Sequence, residues 1–88
     1  MYKVEFSERA LKQIKKFDKN TAKLLMAWIR KNLDGCSDPR AFGKSLTANH
    51  SGQWRYRVGD YRIIAEIEDD RVVILVINIG HRRDIYKL

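Results

Sequence analysis

The feature that most constrains the fold is a change of hydrophobic period at Gln53. Before it, apolar residues recur three and four apart; after it, they alternate. A helix brings residues three and four apart onto one side, whereas a strand does so for residues two apart. Ala10, Leu11, Ile14 and Phe17 form one helical stripe, and Leu25, Met26, Ile29 and Leu33 form a second. Ser7 is a good N-cap for the first helix, with Glu8 in its first turn to suit the helix dipole. The second helix is expected to start after Asp18 or Asn20, with Gly35 at C′. So short a join predicts an antiparallel helix hairpin. Leu24 and Trp28, on the flank of the second stripe, are read as finishing the core. Ahead of the helices, Tyr2 to Phe6 alternates as a strand does, with Tyr2, Val4 and Phe6 on one face.

In the second half, Gln53 to Val58, Tyr61 to Glu68 and Arg71 to Ile79 read as three strands. Gly59-Asp60 suits a two-residue hairpin turn, and Asp69-Asp70 marks the next. Val72 to Ile77 is apolar on both faces and is expected to be the central strand, covered on both sides. Residues 35–52 hold Gly35, Pro39, Gly43 and Gly52 among polar side chains and read as a loop, with room for one helical turn near Pro39. The order β-α-α-β-β-β predicts an α+β fold. It is a two-helix hairpin packed on a mostly antiparallel twisted sheet, in a single domain over 1–88.

A domain of this size buries a modest core and has little stability to spare. Apolar runs are far shorter than the roughly 18 residues a membrane helix needs. The alternating start is unlike a signal peptide, and Cys36 is the only cysteine, so a reducing, cytoplasmic setting is expected. Eighteen Lys and Arg stand against eleven Asp and Glu, a net charge of +7. That balance favours a polyanionic partner such as nucleic acid; a solvated basic surface is the plain alternative.

The predicted hairpin gives the charge a location. Alternation puts Trp54, Tyr56 and Val58 on one face and Arg55 and Arg57 on the other. With Gly59-Asp60 as the turn, Val58 faces Tyr61, Arg57 faces Arg62 and Arg55 faces Ile64. Like charges opposite each other destabilise a sheet, so three guanidinium groups in one patch call for an anion. Glu66 and Asp60 could neutralise part of it, but they are fewer and less central. A guanidinium presents a planar fork of donors that fits phosphate oxygens.

After the last strand, Gly80-His81-Arg82-Arg83-Asp84-Ile85-Tyr86-Lys87 delivers polar groups to the sheet end. An imidazole can move a proton near neutral pH, and a tyrosine can donate a proton or stack on a base. Together these groups could cleave a phosphodiester in RNA, where the ribose 2′-hydroxyl attacks the adjacent phosphorus. Such a reaction needs charge stabilisation on the phosphoryl oxygens and proton transfer at both ends. Cys36, His50 and His81 lack zinc spacing, no acidic pair accompanies the arginines in magnesium style, and the glycines form no phosphate loop. No metal or cofactor is therefore expected.

The stretch Trp54-Arg55-Tyr56-Arg57-Val58-Gly59-Asp60-Tyr61-Arg62-Ile63-Ile64, the strand Val72 to Ile79 and the tail Gly80 to Tyr86 resemble the RelE/ParE toxin superfamily. The opening Val4-Glu5-Phe6-Ser7-Glu8-Arg9-Ala10 and the loop residues Pro39-Arg40 and Gly43-Lys44-Ser45-Leu46 fit as well, so the resemblance covers essentially the whole chain. It implies a RelE-like microbial ribonuclease fold. It also implies a toxin that enters the ribosomal A site, meets mRNA and rRNA there, and cleaves the mRNA. A cognate antitoxin would wrap and neutralise it, with operator DNA contacted only through that antitoxin. By position, Arg55 and Arg57 match a basic pair on the second strand, Arg62 the arginine on the third, Arg82 the arginine after the last strand, and Tyr86 the tail tyrosine. Arg62 and Arg82 would stabilise the phosphorane, and Tyr86 would stack on a base and assist proton transfer. Lys44, Arg83 and Lys87 are expected to bind the RNA backbone.

This sequence departs from the RelE pattern in two ways. The basic pair is often lysine in RelE, with a proton-transfer role; arginine holds its proton too tightly for that. Some relatives use a carboxylate from the loop before the hairpin, but Ala41-Phe42-Gly43-Lys44-Ser45 has none. Those relatives pair the carboxylate with a tail histidine, and His81 stands at or near that position, so the resemblance implies His81 as a proton-transfer group. ParE toxins share the fold and poison DNA gyrase instead, with similar tails, and stand as the alternative function. A non-catalytic nucleic-acid-binding module is a third possibility, disfavoured by the lack of a helix-turn-helix or RNP signature.

Overall fold

The computed structural model describes residues 1–46 and 52–84. The elements are β1 (Lys3–Phe6), α1 (Glu8–Lys16), α2 (Lys19–Asn32), β2 (Lys44–Ser45), β3 (Gln53–Val58), β4 (Tyr61–Glu68) and β5 (Val73–His81). The five strands form one sheet in the order β1-β5-β4-β3-β2. Only β1 and β5 run parallel, so the architecture is the expected α+β one with a short extra strand.

Both helices begin where capping side chains allow. Ser7 accepts from the Ala10 amide at 3.1 Å, and its hydroxyl donates to the Ile77 carbonyl at 3.2 Å. Asp18 caps α2 by accepting from the Thr21 amide at 3.3 Å and the Thr21 hydroxyl at 2.5 Å. These bonds hold the Asp18 carboxyl below its ordinary range, the hydroxyl contributing most. Helix α2 ends at its C-cap Leu33, so Gly35 stands one place beyond C′. There it takes φ +83° and donates its amide to the Tyr2 carbonyl at 2.7 Å. The Cys36 carbonyl accepts from the Tyr2 amide at 2.8 Å, which covers part of the β1 edge.

One face of the sheet carries the main core. Ala10, Leu25, Ile29 and Leu33 meet Tyr56, Val58, Ile63, Ala65, Ile74, Val76 and Ile79 there. Trp28 joins its edge, but Leu24 stays 57% exposed and does not finish the core as expected. Ile64 and Val73 are buried outside this cluster.

Three expectations change. The loop over 35–52 contains β2, which pairs Lys44 with Arg55 and Ser45 with Trp54. Near Pro39 the chain makes a turn, closed by the Ala41 amide on the Asp38 carbonyl at 3.2 Å, and no helix. The last strand starts at Val73 because Arg71 and Val72 belong to the turn, where Val72 takes φ +55°. That strand is interior, flanked by β1 and β4, but β4 is the middle one of the five.

The β4–β5 ladder also contains a bulge. Ile64 pairs with Asn78 and Ala65 with Val76, so Ile77 is an extra residue without a partner. Consequently Val76 and Ile79, three apart, both point into the core.

Candidate nucleic-acid interface

The β3–β4 register is the expected one: Val58 opposite Tyr61, Arg57 opposite Arg62 and Arg55 opposite Ile64. Alternation sends Trp54, Tyr56 and Val58 toward the helices and Arg55 and Arg57 to the other face. Strand β2 adds Lys44 beside Arg55. Gly43, Lys44, Arg55, Arg57 and Arg62 line one shallow recess of about 230 Å³ on the sheet face away from the helices. None of these lining side chains is acidic. The Arg62 guanidinium is steered by its own turn, donating through Nη1 to the Tyr61 carbonyl at 3.2 Å and the Gly59 carbonyl at 3.4 Å.

The loop that presents Lys44 is strapped to the sheet by three contacts. Tyr56 donates its hydroxyl to the Pro39 carbonyl at 2.6 Å, and the Trp54 indole N–H donates to the Phe42 carbonyl at 2.6 Å. Arg40 forks onto both oxygens of Asp69 at 3.1 and 3.0 Å, and the Tyr2 hydroxyl donates to the same carboxylate at 2.6 Å. The Asp69 carboxyl is held below its ordinary range, first by Arg40 and then by Tyr2. The bond to Asp69 raises the Tyr2 hydroxyl in turn, and burial pushes the Tyr56 hydroxyl up strongly. Gly43 takes φ +79° where the strap meets β3, and a Cβ there would overlap the Arg55 carbonyl oxygen and lie 2.9 Å from the Trp54 indole nitrogen. A strand of two residues cannot hold itself in place, so these contacts fix Lys44. The sequence pattern marked Trp54 and Tyr56 as core and Gly43 as loop; their polar tips and close approach carried no periodic signal.

Arg82 stands in the turn just after β5 and is not among the residues lining the recess. Its amide donates to the Asp60 carbonyl at 2.8 Å, and its Nε is 3.9 Å from the Asp60 carboxylate. Asp60 thus leans on Arg82. Arg83 is exposed, and its amide donates to the His81 Nδ1 at 3.2 Å. Tyr86 and Lys87, like His50 in the loop, lie outside the described residues.

The structure corrects the placement of His81. It pairs with Tyr61 and packs edge-on against that ring, centroids 5.5 Å apart, while Tyr61 packs on Phe17 of α1 at 5.4 Å. His81 therefore lies on the helix side, across the sheet from the arginines. It lines a second hollow there with Gln13, Lys16, Phe17, Tyr61 and Asp84. The bulge explains the misplacement, because one inserted residue reverses the facing of everything after it.

Among the described residues, no three His, Cys, Asp or Glu side chains gather in a way that could hold a metal ion. No helix among them is long and apolar enough to cross a membrane.

Comparison with known proteins agrees with the α+β fold. The family described as the ParE toxin of the type II toxin–antitoxin system parDE matches residues 4–86. Toxin RelG of Mycobacterium tuberculosis is 32% identical over 50 residues, which are 57% of this chain and 58% of that protein. The match thus spans less than two thirds of that relative's length. The toxin–antitoxin complex RelBE2 from Mycobacterium tuberculosis superposes with a TM-score of 0.83 at 24% identity, covering 94% of this chain and 93% of the other. The intact Escherichia coli RelBE complex does so with 0.74 at 25%, covering 92% and 96%. The chain belongs to the ParE toxin family of type II toxin–antitoxin systems, within the RelE/ParE superfamily.

Proposed function

We propose that the chain is a toxin that cleaves mRNA, in the ribosomal A site, by attack of the ribose 2′-hydroxyl on the adjacent phosphorus. The observation that carries the reading is that Lys44, Arg55, Arg57 and Arg62 line one recess together, with no acidic side chain among its described lining residues. In the transition state, negative charge grows on the phosphoryl oxygens, and fixed cations aimed at it lower the barrier. Arg62, held by its turn, and Arg82 at the rim are the proposed stabilisers of that charge. Arg55 and Arg57 hold the phosphate, and Lys44, Arg83 and Lys87 bind the flanking backbone. Guanidinium charge and an internal nucleophile suffice for this chemistry without a metal. Proton transfer is assigned to Tyr86, which also stacks on a base; His81 faces the other side of the sheet. A cognate antitoxin is the proposed partner, consistent with the RelBE complexes among the structural neighbours. Operator DNA would be contacted through it, and the setting is cytoplasmic.

The second reading, a DNA gyrase poison, is favoured by the family match itself, which carries the ParE description. Primer extension on a reporter mRNA in a reconstituted translation reaction without gyrase separates the two. New 5′ ends within codons, made by the wild-type protein and absent with Arg62→Ala, are expected. An intact message from folded protein, with altered supercoiling in a gyrase assay, would replace the ribonuclease with the poison.

A further inference from the structure

The bulge at Ile77 decides which face the C-terminal end of β5 offers. Val76 and Ile79 both enter the core, so Gly80 falls opposite Arg62 on the recess face and His81 opposite Tyr61 on the helix face. Arg82 follows directly in the turn after β5, its amide on the Asp60 carbonyl and its Nε 3.9 Å from the Asp60 carboxylate, beside the turn that leads into Arg62. Without the extra residue the facing of Gly80 and His81 would invert, and the turn that carries Arg82 would leave the strand from the other face.

Strand β1 ends at Phe6 opposite Val76, so just past the bulge the outer edge of β5 has no strand beside it, and helix α1 supplies the partner there. Gln13 reaches across from α1 with both ends of its amide. Its Oε1 accepts from the Ile79 amide at 2.6 Å, and its Nε2 donates to the Asn78 side-chain oxygen at 2.6 Å. At the N-cap of α1, the Ser7 hydroxyl donates to the carbonyl of Ile77 itself. Gln13 reads two consecutive residues just after the insertion, so it specifies where the extra residue sits as well as that there is one. The apolar contacts of Val76 and Ile79 cannot do this alone, since they fix only the two ends of the bulged segment.

We propose that Gln13 is a positioning residue for the RNA site: by gripping β5 at its bulge, it fixes the face on which the strand's end presents Arg82 to the rim of the recess. What Arg82 does there rests on the ribonuclease reading; the grip does not.

The test compares Gln13→Leu, which keeps the bulk and removes both bonds, with Gln13→Glu. The carboxylate can still accept from the Ile79 amide, and the Asn78 amide can turn to donate to it. Both variants are checked for cooperative unfolding. Hydrogen exchange then reads the Ile79 amide. Binding of a short single-stranded RNA over a range of salt reads the number of phosphate contacts. In Gln13→Leu, Ile79 should exchange at least about tenfold faster than in the wild type, since its amide has lost its acceptor. The salt slope should fall by about 0.7, the value of one phosphate contact on a single strand. Arg82→Ala should give the same fall, the double variant should add nothing, and Gln13→Glu should restore both readouts. Unchanged Ile79 exchange would remove the grip. Faster exchange with a wild-type salt slope, or additive losses in the double variant, would show that the grip does not position Arg82. Should the wild-type protein bind RNA without a salt slope, the ribonuclease reading fails, and the Ile79 exchange still decides the grip.

Discussion

Arg57 and Arg62 stand directly opposite each other across the β3–β4 ladder, one register position from the Gly59-Asp60 turn. Both side chains lie on the sheet side that the helices leave uncovered and line one recess, with no acidic side chain among its described lining residues. Cross-strand repulsion of this kind costs stability, and it concentrates positive charge where a phosphate can sit.

Relieving the repulsion should therefore stabilise the fold while harming function. Arg57→Thr should raise stability by about 0.2–1 kcal/mol, since it removes the like-charge pair and adds a β-branched residue. Cleavage of mRNA should fall at least about tenfold, in keeping with a lost charge-assisted contact. Urea unfolding and a translation-coupled cleavage assay on the same preparation measure both. A variant that is destabilised and fully active would mean that the pair is structural.

His81 should matter to packing and not to proton transfer. His81→Ala should cost about 0.5–1.5 kcal/mol through its lost edge contact with Tyr61. The pH profile of cleavage should keep its shape. A profile that loses a limb near neutral pH would bring the imidazole back into the reaction.

Tyr86 is expected to carry more through its ring than its hydroxyl. Tyr86→Ala should lower the cleavage rate by at least about 100-fold, and Tyr86→Phe by about tenfold. Single-turnover rates on programmed ribosomes separate the two effects. Equal losses would assign the role to the hydroxyl.

The Asp69 clamp gives the fold a pH dependence on both sides. Arg40, then Tyr2, lowers the Asp69 carboxyl in the folded state. Its contribution is fully present above the unfolded value of about 3.9 and is lost as pH falls through the lower folded value. Tyr2 is raised by its bond to Asp69, so its contribution is present below about 10 and is lost as pH climbs through the higher folded value. Denaturant midpoints from acid to alkaline pH should show both losses in the wild type. Asp69→Asn should flatten both ends, and Tyr2→Phe only the alkaline one. An acid limb unchanged in Asp69→Asn would remove the carboxylate from the account.

Much of this molecule is written locally. The stripe Ala10, Ile14 and Phe17, the caps Ser7 and Asp18, and the turn Gly59-Asp60 each act within a few residues, so periodicity and turn chemistry reveal them. From these alone follow the α+β order and the pairing of Arg57 with Arg62, hence the arginine face. Other parts depend on distant segments meeting. Strand β2 exists because Trp54, Tyr56 and the Arg40–Asp69 pair strap the preceding loop, and nothing in Lys44-Ser45 alone signals a strand. The face of His81 turns on one unpaired residue at Ile77, and just beyond it Gln13 holds the Ile79 amide from sixty-six positions away in the chain. Alternation counts residues along a strand and cannot see an insertion that only the neighbouring strand and helix define. The sequence by itself thus determined both helices, the four longer strands and the arginine face of the hairpin. Tertiary structure decided that His81 lies across the sheet from the arginines, because a bulge is a property of a pair of strands.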